Sequence, residues 1–359
     1  IKAGQAGTPA DFKWPTSVAI DPLGRIVVAT QCGGIYVFNN PSNPSFAFKI
    51  SSIENHPNKN FNGSPKPSIA SFNGCYDAAK GGKARQTTGI TFGPALEGGH
   101  PVMYVSHSDP EIFVNKPIGQ NTIYPASGVV SKLSGPNYGT KTDLVTGLAR
   151  SGENHGPNGL DFGPDGWLYL AIGGNTNHGG KSLFFSWWPE THHSAAIVRL
   201  NPATIGNQPI DVSSYNTFTY SNPNSDPPTV SLTKPKGSTL TANVPGKFEL
   251  YATGFRNPYD IVWHSNGSLY ANENEGNGGF GGLPQPGEDG CPGGGADPGT
   301  VLDELFKVGQ GGYYGHPNAA RNECFRNAGT GISGQPYTPA VFIYSGAQTK
   351  RSINGIDEY

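Results

Sequence analysis

Charge is scarce in this chain: Asp, Glu, Lys and Arg make up 14% of its 359 residues, where a typical soluble protein carries roughly 25%. The net charge is −2 and no basic run occurs, so nucleic acid and an anionic membrane surface are not expected partners. No apolar run approaches the roughly 20 residues of a membrane-spanning helix. No C-x-x-C pair is present, which removes the usual zinc-ribbon and dithiol redox motifs. The four cysteines, Cys32, Cys75, Cys291 and Cys324, are far apart in sequence. Their even number suits two disulfides formed in an oxidising compartment. Of the three connectivities, Cys32–Cys75 and Cys291–Cys324 are the expected pairs. The opening "IKAGQAG" has no signal-peptide character, so a processed, secreted chain is expected. Sequons at Asn62 and Asn266 agree with export.

What the chain has in quantity is turn formers and aromatics. It holds 52 glycines, 32 prolines and 11% aromatic residues. That combination points to many turns between buried strands rather than to disorder. A phrase also repeats: a small residue, apolar alternation, a Pro/Asp/Asn-Gly turn, then apolar alternation again. Its copies are "SVAIDPLGRIVVAT" from Ser17, "TGITFGPALEGGHPVMYVSH" from Thr88, "NGLDFGPDGWLYLAIG" from Asn158 and "YDIVWHSNGSLYANEN" from Tyr259. Each reads as a β-hairpin. Hairpins recurring at long period predict an all-β propeller around a central channel, with a β-sandwich as the competing architecture. "SINGIDEY", at residues 352–359, starts a fifth copy.

In a propeller, the residues before the first strand and after the second strand of each hairpin meet at one mouth of the ring. The "before" slots hold Arg85 and Gln86, Asn154 and His155, Arg256 and Asn257, then Lys350, Arg351 and Asn354. The "after" slots hold Gln31, His107 and Asp109, Asn175 and Asn177, then Glu273, Asn274 and Glu275. Polar groups converging on a concave place make a small-molecule site. His155 is the group there that can take a proton near neutral pH, with Asn154 or a neighbouring amide to set its tautomer. Arg85 and Arg256 offer fixed cationic forks for carboxylates or a developing oxyanion. His192 and His193 read as surface residues, and Trp187 and Trp188 as loop packing.

Three stretches, "ENHGPNGLDFGPDGWLYLAIGGN", "YATGFRNPYDIVWHSNGSLYANENEG" and "LDELFKVGQGGYYGHPN", resemble the soluble quinoprotein glucose/sorbosone dehydrogenase family. The resemblance is strongest to its fungal pyrroloquinoline-quinone (PQQ)-dependent pyranose dehydrogenases. It implies a six-bladed β-propeller spanning residues 1–359 as one domain, with PQQ held over the channel by Ca²⁺. It implies that His155 is the base taking the sugar hydroxyl proton and that Arg256 stabilises charge on the quinone. Arg85, Gln86, Asn154, Asn257 and Asn354 fall on cofactor-contact positions, and Glu275 and Gly276 on the calcium loop. A monosaccharide substrate follows, with a haem cytochrome or a quinone as electron acceptor. Where bacterial members carry Asp directly before the base, this chain has Asn154, so the base lacks that carboxylate. The family's last blade adds a Lys and further Arg that have no counterpart here, so the chain is expected to end before the ring closes. The rival readings are a calcium-dependent propeller hydrolase such as a lactonase, which would recruit Asp109, Glu273 and Asn274, and a non-catalytic binding propeller.

Overall fold

The computed structural model describes residues 9–67, 83–112, 123–222, 228–238, 242–285, 294–326, 336–344 and 353–358. Each predicted hairpin forms at its expected place, and each is the inner half of a four-stranded antiparallel blade. The first blade is β1 (Pro15–Ile20), β2 (Ile26–Thr30), β3 (Ile35–Asn39) and β4 (Ser45–Ile50). The second is β5 (Gln86–Phe92), β6 (Met103–Ser108), β7 (Gly128–Ser134) and β8 (Thr140–Leu148). The third begins with β9 (Pro157–Phe162), β10 (Leu168–Ile172) and β11 (Ala196–Leu200). The chain then leaves the blade. It adds the short β12 (Ile210–Asp211) parallel to β8 and makes a separate hairpin of β13 (Phe218–Asn222) and β14 (Thr229–Leu232). It returns as β15 (Phe248–Thr253), the fourth strand of the third blade. The last blade is β16 (Pro258–His264), β17 (Ser268–Glu273), β18 (Glu304–Val308) and β19 (Phe342–Ile343). The arrangement is all-β and propeller-like, with four blades among the described residues against the expected six. None of the described helices is long and apolar enough to cross a membrane.

Three of the hairpin turns share one chemistry. Gly24, Gly166 and Gly267 take φ of 77°, 79° and 78°, a left-handed conformation that glycine adopts without a Cβ clash. Nearby, Asp21 Oδ1 accepts the N–H of Leu23 and Arg25, Asp165 Oδ1 that of Trp167, and Asn266 Oδ1 that of Ser268. These side-chain bonds hold each reversal, from Asp or Asn directly before the glycine at Gly166 and Gly267 and from Asp21 three residues before it at Gly24.

Blade stacking follows from side-chain alternation along each strand. On β10, Leu168, Leu170 and Ile172 join a core shared with the second blade through Val130, Leu144 and Val145. The intervening Tyr169 and Ala171 face the other way, onto Ile261, Leu269 and Phe306 of the last blade. The first and second blades meet through Val27, Ile35 and Val37 against Ile90, Met103 and Val105. With both faces buried, middle strands such as β10 read as unbroken apolar runs. Removing a side chain like Leu170 from such a core costs about 2–5 kcal/mol.

The inner strands β1, β5, β9 and β16 line a central channel, together with residues 354–357. Residues 353–358 run beside β16. Ile356 N–H donates to Asp260 Oδ2 (3.3 Å), and Ser265 N–H donates to Glu358 Oε2 (2.7 Å). The fifth copy of the phrase therefore sits in the place of a further inner strand. Cys32 and Cys324 each take part in a disulfide, and Cys75 and Cys291, the expected partners, lie outside the described residues.

The expectation that His192 and His193 are surface residues is corrected, since both are fully buried. The excursion between β11 and β15 covers them. Tyr215 packs on both rings, and Asn216 Nδ2 lies 3.0 Å from His193 Nδ1. Trp188 packs with Ile123 and Phe218 as expected.

Candidate functional site

At one mouth of the channel lies a polar cleft of about 380 Å³, within the range of ligand pockets. It shares Thr16, Tyr259 and Asn354 with the channel wall, so the two are continuous. Of the residues singled out in the sequence, Gln86, Asn154, His155, Arg256, Asn257 and Asn354 line it, with Gln31 and Asn274 from the "after" slots. His155 and Arg256 thus open onto the same mouth.

His155 ends a tight loop that precedes β9. Its N–H donates to Ser151 Oγ (3.0 Å), and its carbonyl accepts from Ser151 N–H (2.9 Å) and from Arg150 Nη1 (3.3 Å). Arg150, which the sequence reading passed over, is the loop's internal strut. Fully buried, it also donates to the carbonyls of Asp109, Glu111, Ser151 and Glu153. Imidazole Nδ1 lies 2.9 Å from the carbonyl of Gly174. A carbonyl can only accept, so Nδ1 carries the hydrogen and the lone pair of the neutral ring is at Nε2. The tautomer is therefore set by a backbone carbonyl rather than by the expected amide of Asn154.

Gly174 also ties in the arginine, because its N–H donates to the carbonyl of Arg256 (2.6 Å). Arg256 Nη1 donates to Asn274 O (3.1 Å), while its Nε is buried with no acceptor among the described residues. Phe185 wedges between the two groups, its ring 5.5 Å from His155 and 6.0 Å from the guanidinium. Burial lowers the guanidinium from its usual range, and Glu153 is the first of the carboxylates that oppose this, followed by Glu273, Glu275 and Asp303.

Amides complete the wall. Asn158 Nδ2 donates to Asn257 Oδ1 (2.9 Å), and Asn274 Nδ2 donates to Asn354 Oδ1 (3.2 Å), so asparagine pairs tie the third blade to the last and the last blade to residues 353–358. Gln86 Oε1 and Asn274 Oδ1 are buried without a hydrogen-bond donor. The cleft also holds Thr16, Glu153, Phe184, Tyr259, Asn277 and Phe280, which were not singled out in the sequence. Glu153 is the one carboxylate among the described lining residues, and its place two positions before His155 was the available signal. The two phenylalanine rings meet edge-on at 4.2 Å from separate loops, a pairing that no local pattern announces.

Other singled-out residues lie elsewhere. Arg85 is buried away from the cleft, donating to His107 Nδ1 (2.9 Å), Asn58 Oδ1 (2.6 Å) and the carbonyls of His107 and Ser127. Asp109 pairs with Lys66 (2.9 Å). Asn175 Nδ2 donates to Pro189 O, and Asn177 Nδ2 to Asn277 O. Lys350 and Arg351 fall outside the described residues. Glu275 and Gly276 stand behind Asn274 rather than on the cleft wall. Glu275 N–H donates to Asp303 Oδ1 (3.1 Å), and Gly276 O accepts from Val301 N–H (2.9 Å). Burial raises the Glu273 carboxyl well above the usual range, and Glu275 raises it further.

No family model matches the chain, and neither does any curated protein. Several solved structures resemble it in fold at low sequence identity. A Thermus thermophilus protein described as an oxidoreductase (glucose dehydrogenase) aligns with TM-score 0.45 and 17% identity, over 93% of this chain and 70% of the other. The holo PQQ domain of pyranose dehydrogenase from Coprinopsis cinerea aligns with TM-score 0.44 and 10% identity, over 86% of this chain and 55% of that domain. A Trichoderma reesei enzyme of carbohydrate-active family AA12 aligns with TM-score 0.41 and 15% identity, over 85% and 56%. The chain thus spans little more than half the length of the two fungal proteins.

One further cluster has ligand-like spacing. His56, His107 and Asp143 bring potential ligand atoms within 4.8 Å of one another. Arg85 donates to His107 Nδ1, which leaves the proton on Nε2, 2.8 Å from Ser131 Oγ, and Ser131 donates on to Asp143 Oδ1 (2.6 Å). Lys141 Nζ stands 2.5 Å from Asp143 and 3.2 Å from His56. Two fixed cations and an occupied imidazole make this a hydrogen-bonded relay, unsuited to a metal ion.

Proposed function

We propose that the chain, taken as one domain over residues 1–359, is a secreted PQQ- and Ca²⁺-dependent sugar dehydrogenase acting on a pyranose. The observation that carries this reading is one cleft lined by both an imidazole of defined tautomer and a buried guanidinium, with Gly174 bonded to the His155 ring and to the Arg256 backbone carbonyl. Arg256 Nε, Gln86 Oε1 and Asn274 Oδ1 are polar atoms left without partners in its wall. Leaving such groups unsatisfied costs about 1–3 kcal/mol each, which a flat, polar, anionic ligand would recover. Arg256, Gln86, Asn257 and Asn354 would hold PQQ, and Asn154 would border it. When bound, PQQ supplies a two-electron hydride acceptor. His155 Nε2 would take the proton of the sugar hydroxyl, and Arg256 would stabilise negative charge that develops at the bound quinone.

For Ca²⁺, the donor chemistry behind the cleft fits. Glu273 Oε2 is buried without a donor, and Glu275 repels it, so a hard cation would relieve both. Glu275 and Gly276 would hold the ion with Glu273, Gly276 through the second lone pair of its carbonyl. Both sequons sit at exposed turns, in keeping with export. A haem cytochrome or a quinone would accept the electrons. A metal-dependent hydrolase would gather several carboxylates around the channel mouth, whereas Glu153 alone lines it among the described residues.

The test is to add PQQ and Ca²⁺ to the purified protein and follow the bound-quinone absorbance as sugar is added. Bleaching in wild type, and in His155→Ala a retained quinone with most turnover lost, is the expected result. A quinone that binds without ever bleaching would leave a binding protein, and no binding at all would end the quinoprotein reading.

A further inference from the structure

We propose that Glu153 is a positioning residue for His155, its carboxylate lying across from Nε2 to hold the charge that the imidazole acquires when it takes a proton. This rests on the reading of His155 as the base. Glu153 Oε2 is 3.8 Å from His155 Nε2, and the glutamate side chain keeps 19% exposure at the cleft wall. It is not a wandering surface group. Asn154 N–H donates to the same Oε2 (2.5 Å), and the Glu153 carbonyl is gripped by Arg150 Nη1. The backbone that carries it is thus tied to the strut that also holds the His155 carbonyl.

The chemistry of the pair follows from the tautomer. With Nδ1 donating to Gly174 O, the proton leaving a substrate hydroxyl can go only to Nε2. Before transfer, a lone pair and a carboxylate face each other across 3.8 Å. After transfer, an N–H⁺ faces that carboxylate. The proton stays on nitrogen, so one O–H bond breaks and one N–H bond forms. An interaction that is repulsive before the transfer and attractive after it favours the charged state, which is what a base at such a site needs.

The charged groups around His155 are few. Arg150 donates to the His155 carbonyl, and Phe185 is in contact with both the His155 ring and the Arg256 guanidinium. Behind Gly174 stands Glu190, engaged with His316 Nε2 (2.9 Å) and with the N–H groups of Asn175 and Thr176. Among the described residues, Glu153 is the carboxylate that faces His155 Nε2. The carboxylate that the residue before the base would supply is delivered instead from one position further back, with Asn154 contributing its N–H as a clamp.

The test compares wild type, Glu153→Gln and Glu153→Asp as full-length apoprotein. Histidine imidazole titration is followed by NMR, with the His155 resonance assigned from its loss in His155→Ala. The His155 midpoint should fall by about one pH unit in Glu153→Gln and return most of the way in Glu153→Asp. In quinone-loaded protein, the rising limb of kcat/KM against pH should move the same way, with kcat about tenfold lower and KM for sugar little changed. An unmoved midpoint in Glu153→Gln overturns the proposal. A moved midpoint in a protein that never turns over sugar supports the pairing and sinks the dehydrogenase reading instead.

Discussion

Replacing Gly173 by alanine tests whether His155 and Asn257 are held by contact or merely happen to adjoin. Gly173 follows β10 and donates its N–H to Gly156 O (2.9 Å). A Cβ on it would stand 2.6 Å from Asn257 Oδ1, 2.8 Å from His155 Cβ and 3.4 Å from His155 Cγ. Ordinary contact begins at about 3.5 Å between carbons, so something must move by more than half an ångström. Neither neighbour can yield cheaply: His155 is bonded through Nδ1 to the next residue, and Asn257 Oδ1 accepts from Asn158. Overpacking of this kind costs about 1–3 kcal/mol, and misplacing a reacting group by about 1 Å can cost on the order of 100-fold in rate. Gly173→Ala should therefore unfold in urea with stability about 1–3 kcal/mol lower, while kcat of the quinone-loaded enzyme drops far more than that small loss of folded protein explains. Gly206→Ala, where nothing lies within 4 Å of the added carbon, is the control and should match wild type in both assays. Gly173→Ala turning over at the wild-type rate would show that the imidazole is not positioned by this contact.

The aromatic lip and a buried histidine supply two further predictions. Phe184→Ala or Phe280→Ala removes one ring of the edge-on pair at the cleft, worth about 1 kcal/mol. Each should raise KM for sugar roughly fivefold and leave the bound-quinone spectrum unchanged, and an unaltered KM would place the sugar elsewhere. Burial holds His193 at about 3, against an ordinary value of 6.5. Because the folded form is the one that resists protonation, its contribution is complete above pH 6.5 and drains away as pH falls towards 3. That amounts to about 2 kcal/mol between pH 6.5 and 5. Urea unfolding at the two pH values should show that loss in wild type and a smaller one in His193→Gln, with identical slopes counting against the assignment.

How much of this was legible in the sequence depended on whether a feature is local or needs a distant partner. The hairpins were legible because a glycine with Asp or Asn one to three residues before it closes the reversals at Gly24, Gly166 and Gly267. The mouth to which His155, Arg256, Asn257 and Asn354 belong was legible because equivalent slots in repeated hairpins point the same way. The third blade was harder, since its last strand, β15, returns only after an excursion of nearly fifty residues from β11. That same excursion buries His192 and His193, whose surroundings come from Tyr215 and Phe248 rather than from their own neighbours in sequence.

Arg85 and Arg256 show where slot reasoning stops. Both precede an inner strand, both are arginines, and both are buried. Arg85 spends its donors on Asn58, Ser127 and His107, partners from three different segments. Arg256 meets one carbonyl through Nη1 and leaves Nε unsatisfied at the cleft. A buried donor without an acceptor is destabilising by itself, which is why the proposed ligand is placed at Arg256 and not at Arg85. The repeat decides which end of the ring a side chain faces. The long-range partners decide whether it is already spent, and that second fact is written in no single stretch of the chain.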